Sequence, residues 1–423
     1  MFKVSKKISF QFYKDFCIIL NHADSSDYKL NLSGSSIFKK IADGISDFSQ
    51  EELLFVEELV SVGIVEKEGK LIQLQNLEEQ KGIESSVWEE LLEYGEKNLV
   101  PISGVIELTY DCPLSCLHCY INKLEVKANE RLHFDEYAKF IDEFKKLGGL
   151  YLVFTGGDPL LHEDFEKIFN YAREKNIAVS IMSSGWTNDF ELLKRTSKKG
   201  IVSFQASLHG HNSEIHDKFT RKKGSFDSVM KVLRFLKKEG VFVQAAVPVT
   251  TENILFFDEI CSFLKNEKIV HVFNYDIFEK RNGDKSPLKF NVSREQIKEC
   301  YKKTAFFSKS RLAEKKEDDS PCSAARAQFS LNPSGVLFPC LEIRIPAGNI
   351  KEKSFEELWK NAPFFNEIRA LKFKDLFECP KCDAKNFCDR CVGKSLREGL
   401  DLTGHSLTDC LFAALKKELS EQS

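Results

Sequence analysis

The chain has 423 residues, 42% of them hydrophobic, enough for two or three domains with ordinary cores and too apolar for a disordered polymer. Its 61 basic and 64 acidic residues leave a formal net charge of −3, so no global field draws it to nucleic acid or to an anionic membrane. The N-terminus, MFKVSKKISFQFYKDF, lacks the apolar run and small-residue cleavage site of a secretory signal, and no later window approaches a membrane-spanning length. A cytoplasmic location is expected, and in that reducing compartment 13 cysteines argue for metal rather than disulfides.

Residues 1–76 alternate strand-like runs, DFCIILN and DYKLNLS, with two helical patterns, SSIFKKIADGI and SQEELLFVEELVSVGI. Ser49 reads as the N-cap of the second helix, with Glu51 and Glu52 where the helix dipole favours negative charge. After Gly63, IVEKEGKLIQL predicts a hairpin turning at Glu68 and Gly69, and the whole suggests a small winged-helix unit. Its acidic second helix offers no basic face to nucleic acid. A helical linker fills 77–100, with its charged helix from Leu77 to about Lys97.

From 101 to 310 strands and helices alternate. VIELTY precedes a helix from Asp135, LYLVF one from Asp164 and IAVSIM one from Asp189. IVSFQASL precedes a helix from Ser225, VFVQAAVPV one near Ile254 and IVHVFNY one from Ser293. Six βα units imply an α/β fold on a parallel sheet, either open and doubly wound or curled into part of a barrel, with ligands at the carboxyl ends of the strands. Residues 311–423 lose that rhythm. They open with the charge run AEKKEDDS, read as a solvated linker, and become cysteine-rich, a composition in which metal substitutes for a core.

Cys17, Cys261 and Cys300 stand alone in amphipathic stretches and read as buried thiols packed as small hydrophobes. TYDCPLSCLHCYI instead sets Cys112, Cys116 and Cys119 on one loop, directly after the first strand of the repeating region. Three thiolates can hold three irons of a cubane cluster and leave the fourth iron without a protein ligand. Zinc would want a fourth ligand, and His118 is cramped between ligating neighbours. Seven cysteines follow the repeat. CPKCDAKNFCDRC alone would suit a zinc knuckle or a rubredoxin-like site, but seven thiols exceed one tetrahedral site.

On this triad, the TGGDP turn and the six-unit repeat, the central region resembles the radical S-adenosylmethionine superfamily. The resemblance implies a partial (β/α)6 TIM barrel over 101–310, in which the open iron binds S-adenosylmethionine and passes one electron into its sulfonium, releasing a 5′-deoxyadenosyl radical. It further implies cofactor contacts at Gly156 and Gly157, at Asp158 where the family usually has Glu, at Ser183 in the Ser183-Ser184-Gly185 turn, and at Ser207. Arg221 would pair with the cofactor carboxylate, and Tyr120 would lie beside the adenine. His209, His211 and His216 form no ligand spacing and read as surface or structural residues.

Residues 311–423 resemble the SPASM extension, which houses auxiliary iron-sulfur clusters in peptide-modifying enzymes. By that resemblance Cys379, Cys382, Cys388 and Cys410 complete one auxiliary cluster, while Cys322, Cys340 and Cys391 hold the other, making three iron-sulfur clusters of the 4Fe-4S type in all. One departure is that two residues rather than three separate Cys388 from Cys391. A second is that RLAEKKEDDSP lacks the extra cysteine found in fully ligated relatives and has Lys316 near its place. Either Cys300 reaches across or one iron is open, and a substrate thiolate is a suitable ligand for it.

The segment from Leu30 and Asn31, through the Ile37 to Gly44 helix, to Val60 and Val65 resembles the RiPP recognition element, which implies a leader peptide added as a strand to a sheet edge. The combination is similar to the thioether-forming sactipeptide and ranthipeptide synthases. It implies a maturase that joins a cysteine sulfur to carbon in a ribosomally made precursor peptide, fed with electrons by flavodoxin or ferredoxin, with no nucleic-acid or membrane partner. Carbon-carbon or carbon-oxygen crosslinking and epimerisation are the alternatives, followed by sulfatase maturation and a noncatalytic iron-sulfur scaffold. The residue that deprotonates or quenches the substrate radical is open, Tyr275 and Asp276 being candidates by position alone.

Overall fold

The computed structural model describes residues 2–24, 26–67, 86–121, 125–304 and 314–422. Its N-terminal unit starts with β1 (Phe2–Val4), β2 (Ile8–Phe12), β3 (Cys17–Asn21) and β4 (Ser26–Leu30). Then come α1 (Leu32–Ala42), α2 (Gln50–Ser61) and β5 (Val65–Lys67). β2, β3 and β4 form an antiparallel sheet in that order. α2 opens with a full capping box, in which the Ser49 side chain accepts the Glu52 N–H and the Glu52 side chain accepts the Ser49 N–H. The expected turn at Glu68 and Gly69 lies outside the described residues. β5 pairs antiparallel with β1, whose three residues are too few to show a hydrophobic period. Cys17 is fully buried in this unit's core with Phe38, Ile41 and Val56.

A linker helix, α3 (Ser86–Asn98), leads into the central sheet. In chain order this comprises β6 (Ser103–Thr109), α4 (Phe134–Lys146), β7 (Tyr151–Gly156), α5 (Phe165–Glu174), β8 (Ala178–Ser183) and α6 (Phe190–Lys198). It continues with β9 (Ser203–Ser207), α7 (Ser213–Thr220), α8 (Ser225–Lys238), β10 (Phe242–Pro248), α9 (Phe257–Glu267), β11 (Val270–Asn274) and α10 (Arg294–Thr304). All six expected strands are present and pair in parallel in strict sequence order from β6 to β11. A doubly wound sheet reverses its strand order at a switch point; unbroken order puts the helices on one face, as in a barrel. Asp164 and Asp189 stand as N-caps, and Asp189 accepts the Leu192 N–H at 2.8 Å.

The C-terminal region contributes β12 (Gln328–Leu331), β13 (Val336–Phe338), β14 (Gly348–Asn349), α11 (Phe355–Asn361), α12 (Pro363–Ala370), α13 (Val392–Arg397) and α14 (Leu407–Ser420). β12 lies parallel beside β6, and β13 and β14 extend the same sheet antiparallel. The junction is aromatic. Phe329 on β12 packs 4.9 Å from the Phe355 ring, which stands 5.1 Å from Phe140 on α4. A Cβ at Gly104, paired with Phe329 across the strands, would fall 2.3 Å from that ring, so only glycine admits it. Glu314 and residues 316–319 of the charge run are exposed, while its backbone is tied down, with the Glu317 and Asp319 carbonyls accepting the Lys374 and Phe373 N–H groups. Among the described residues no helix is long and apolar enough to cross a membrane.

Candidate active site

The loop after β6 carries Cys112, Cys116 and Cys119 across the carboxyl end of the sheet. α7, absent from the sequence expectations, clamps it: Ser115 N–H donates to Thr220 O and Leu117 N–H to Phe219 O, each at 3.1 Å. On its other side the TGGDP turn meets it backbone to backbone, with Gly157 N–H donating to Thr109 O at 2.7 Å and Asp158 N–H to Asp111 O at 2.8 Å. A Cβ on Gly156 would stand 2.1 Å from Thr109 O, and one on Gly157 2.3 Å from Asp111 O. These glycines are needed first for this approach of two strand ends, and only then for any ligand.

The three cysteines line a cavity of about 300 Å3, with Gly156, Gly157, Ser183, Ser207 and Tyr120 also on its wall. Asp158 stands behind the wall. Fully buried, its carboxylate accepts the Ser183 hydroxyl at 2.9 Å, the Ser184 N–H at 3.1 Å, the Leu160 N–H at 3.1 Å and the Ser184 hydroxyl. Burial pushes its pKa up against the pull of these bonds. In this arrangement it orients the serine turn and does not line the cavity. Arg221, the left-handed cap of α7, is exposed and also lies off the cavity wall.

His209 was expected at the surface or in a structural role. It is 1% exposed, lines the cavity, and has no hydrogen-bond partner on either ring nitrogen. Its ring stacks on Phe219 at 4.4 Å, its backbone N–H donates to His216 Nδ1 and its carbonyl accepts from Asn253 Nδ2. Burial holds its pKa well below the ordinary histidine value, so the ring is neutral. The available clue was position: two residues past a parallel strand is where ligands gather.

A second cavity, of about 470 Å3, shares His118, Tyr120, Pro248 and Asn274 with the first. Tyr275 and Asp276, following β11, line it together with Lys394 and Arg397 of α13. Lys394 bridges Asp276 at 2.5 Å and Asp409 at 2.9 Å, while Asp276 Oδ1 is buried without a hydrogen-bond partner. Burial raises the Asp276 pKa, with Lys394 opposing. Behind the cluster loop, buried Glu107 on β6 receives Arg281 at 2.6 Å and Arg344 at 3.0 Å, and both guanidinium groups also donate to the Tyr110 hydroxyl.

The seven C-terminal cysteines divide between two further cavities. Cys379, Cys382, Cys388 and Cys410 line one of about 540 Å3; Cys322, Cys340 and Cys391 line one of about 490 Å3. Cys300 packs in the core of Val249, Phe257 and Leu415, away from that second set. Among the described residues no three His, Cys, Asp or Glu side chains form a site for a single metal ion. The cysteine sets instead face open volumes that suit polynuclear groups, in which each thiolate serves a different iron. Burial pushes the Cys322 and Cys388 thiols up to about 11, so their anions need the positive charge of a metal beside them.

Residues 106–264 match the model of the Radical SAM superfamily, and 322–391 match SPASM, the iron-sulfur cluster-binding domain. The chain is 27% identical over 323 residues to the AdoMet-dependent heme synthase of Methanosarcina barkeri, covering 68% of this chain and 90% of that protein. It is 26% identical over 315 residues to the antilisterial bacteriocin subtilosin biosynthesis protein AlbA of Bacillus subtilis, covering 70% and 68%. The crystal structure of Streptococcus suis SuiB bound to its precursor peptide SuiA superposes with a TM-score of 0.64 at 15% identity, over 97% of this chain and all of that one, a likeness of fold. The chain is a radical SAM protein with a C-terminal SPASM domain, and S-adenosylmethionine and iron-sulfur clusters are its cofactors.

Proposed function

We propose that this protein matures a ribosomally made peptide by joining a cysteine sulfur to carbon. The observation that carries the reading is the 470 Å3 cavity, which adjoins the cofactor cavity through His118 and Tyr120 and reaches the two C-terminal cysteine cavities through Glu342 and Asp409. A peptide segment there would have a hydrogen-abstracting site on one side and an electron acceptor on the other. Peptide-related relatives support the choice, AlbA by its bacteriocin and SuiB by its bound precursor.

Cys112, Cys116 and Cys119 would hold the radical-generating cluster; Cys379, Cys382, Cys388 and Cys410 one auxiliary cluster; and Cys322, Cys340 and Cys391 the other. Gly156, Gly157, Ser183, Ser207, His209 and Tyr120 would surround S-adenosylmethionine, with Asp158 fixing the serine turn. When bound, these groups supply hydrogen-atom abstraction from carbon and a place for the electron that bond formation releases. Asp276, a residue of the cavity wall with one buried and unpartnered oxygen, takes the thiol proton. Flavodoxin or ferredoxin supplies the reducing electrons.

The leader peptide docks on residues 1–76. β2 cannot extend the sheet, because Arg173 and Lys145 already hold its Ile8 and Phe10 carbonyls. The leader therefore adds to β4, whose chain runs on into α1 at the exposed Leu32. Epimerisation would need a hydrogen-donating thiol at the cavity, and among the described residues Cys17, Cys261 and Cys300 line neither it nor the cofactor cavity. A second reading, an iron-porphyrin substrate, draws on the similarity to heme synthase.

The test is anaerobic incubation of the reduced, reconstituted enzyme with S-adenosylmethionine and the cysteine-bearing peptide encoded nearby. Loss of two hydrogens with the cysteine protected from alkylation supports the thioether. The same loss with the cysteine still alkylated means carbon-carbon or carbon-oxygen bonding, and unchanged mass with deuterium uptake from solvent means epimerisation. Turnover of an iron porphyrin and not of peptide would overturn the peptide reading.

A further inference from the structure

Cys322, Cys340 and Cys391 offer three thiols where a cubane fully bound by protein takes four donors. Glu342 is the one carboxylate among the described residues lining that cavity, and it also lines the 470 Å3 cavity next door. Its position is built. Cys340 Sγ accepts the Ile343 N–H at 3.4 Å, which curls the chain around the sulfur and carries Glu342 with it. α13 packs onto this turn so closely that a Cβ at Gly393 would fall 2.5 Å from Glu342 Cβ and 3.1 Å from its carbonyl carbon. Glu342 Oε2 is ion-paired with Arg397 Nη2 at 3.2 Å and makes no hydrogen bond besides.

We propose that the Glu342 carboxylate is the fourth protein donor to the iron-sulfur group held by Cys322, Cys340 and Cys391, and that an incoming substrate thiolate replaces it. The inference rests on the reading that these three cysteines hold an auxiliary cluster. A carboxylate is a harder and weaker donor to cluster iron than a thiolate, which makes it exchangeable. The exchange breaks one iron–oxygen bond, forms one iron–sulfur bond and moves no electron. The thiol proton passes to Asp276 on the shared cavity, and the released carboxylate returns to the Arg397 pair that this structure shows. In this way the enzyme keeps the iron covered until a cysteine arrives.

The full-length holoenzyme, free of peptide, is titrated with 2-mercaptoethanol while the electron paramagnetic resonance and reduction potential of the reduced auxiliary clusters are followed. Relative to the native protein, Glu342→Ala and the same-sized Glu342→Gln should reach half-saturation at about tenfold lower thiol, because no anion has to be displaced. Glu342→Cys should give a lower potential and no response to the thiol. Coincident titrations of the native, Ala and Gln proteins, or a thiol-responsive Glu342→Cys, would overturn the proposal. Iron analysis of Cys340→Ala and Cys391→Ala separates the two levels. If iron does not fall by about four ions per chain, the cluster reading itself fails; if iron falls and the Glu342 variants stay silent, only the role of Glu342 fails.

Discussion

His209 shows how much of a site can depend on one buried ring. An imidazole with two unpartnered nitrogens is costly to bury, so a partner from the cofactor would complete it. Replacing it with Phe keeps the stacking on Phe219 and removes the hydrogen-bonding atoms. His209→Phe should bind S-adenosylmethionine about tenfold more weakly, the value of roughly one hydrogen bond, with the iron content of the holoenzyme unchanged by elemental analysis. Gly157→Ala acts differently. Its Cβ would meet two backbone oxygens, Asp111 O at 2.3 Å and Tyr110 O at 2.6 Å, and neither can move like a side chain. A cost of about 1–3 kcal/mol is expected, read as a lower Tm together with lost iron from the loop beside it.

At the scale of elements, half-buried Lys145 on α4 joins the barrel to the N-terminal unit by donating to Phe10 O at 2.6 Å. Burial lowers its pKa to about 7, so above that pH the unfolded chain, with Lys near 10.5, binds more protons than the folded one and this group makes stability rise with pH. Burial raises Cys17, at the same junction, to about 12, so from its ordinary value of 9.0 upward it works in the opposite direction. The window is therefore about pH 7 to 9, and Tm should climb more steeply across it in the native protein than in Lys145→Met. The six parallel strands and their helices were legible because each strand is a run of apolar residues followed by an amphipathic helix. α7 was not, for its eight residues, SEIHDKFT, are too few and too polar to show a period. The two glycines were legible as residues but not in their reason, which is the tertiary meeting of β6 and β7. His209 gave no spacing signal because its place depends on Phe219, ten residues away and on another element.

Across the whole molecule the cavity of each cysteine set shares wall residues with the 470 Å3 cavity, and the charges on that wall set the conditions under which it works. Lys394 stands between Asp276 and Asp409, and Glu342 adds a further negative charge nearby. An acid among like charges and out of water would hold its proton, and Lys394 is what opposes this. If Asp276 accepts the substrate's proton, it must be ionised first. Lys394→Met removes the opposing cation and leaves Asp409 bound to the Cys391 N–H at 2.7 Å. The acid limb of the peptide-modification rate should then move up by at least about one pH unit, so that activity falls near neutrality and recovers in more alkaline buffer. Asp276→Asn should lose activity at every pH. Uncoupled cleavage of S-adenosylmethionine serves as the internal comparison, because it needs no proton from the peptide. An unshifted limb in Lys394→Met would mean that Asp276 is a structural partner of α13 and that the thiol proton leaves by another route.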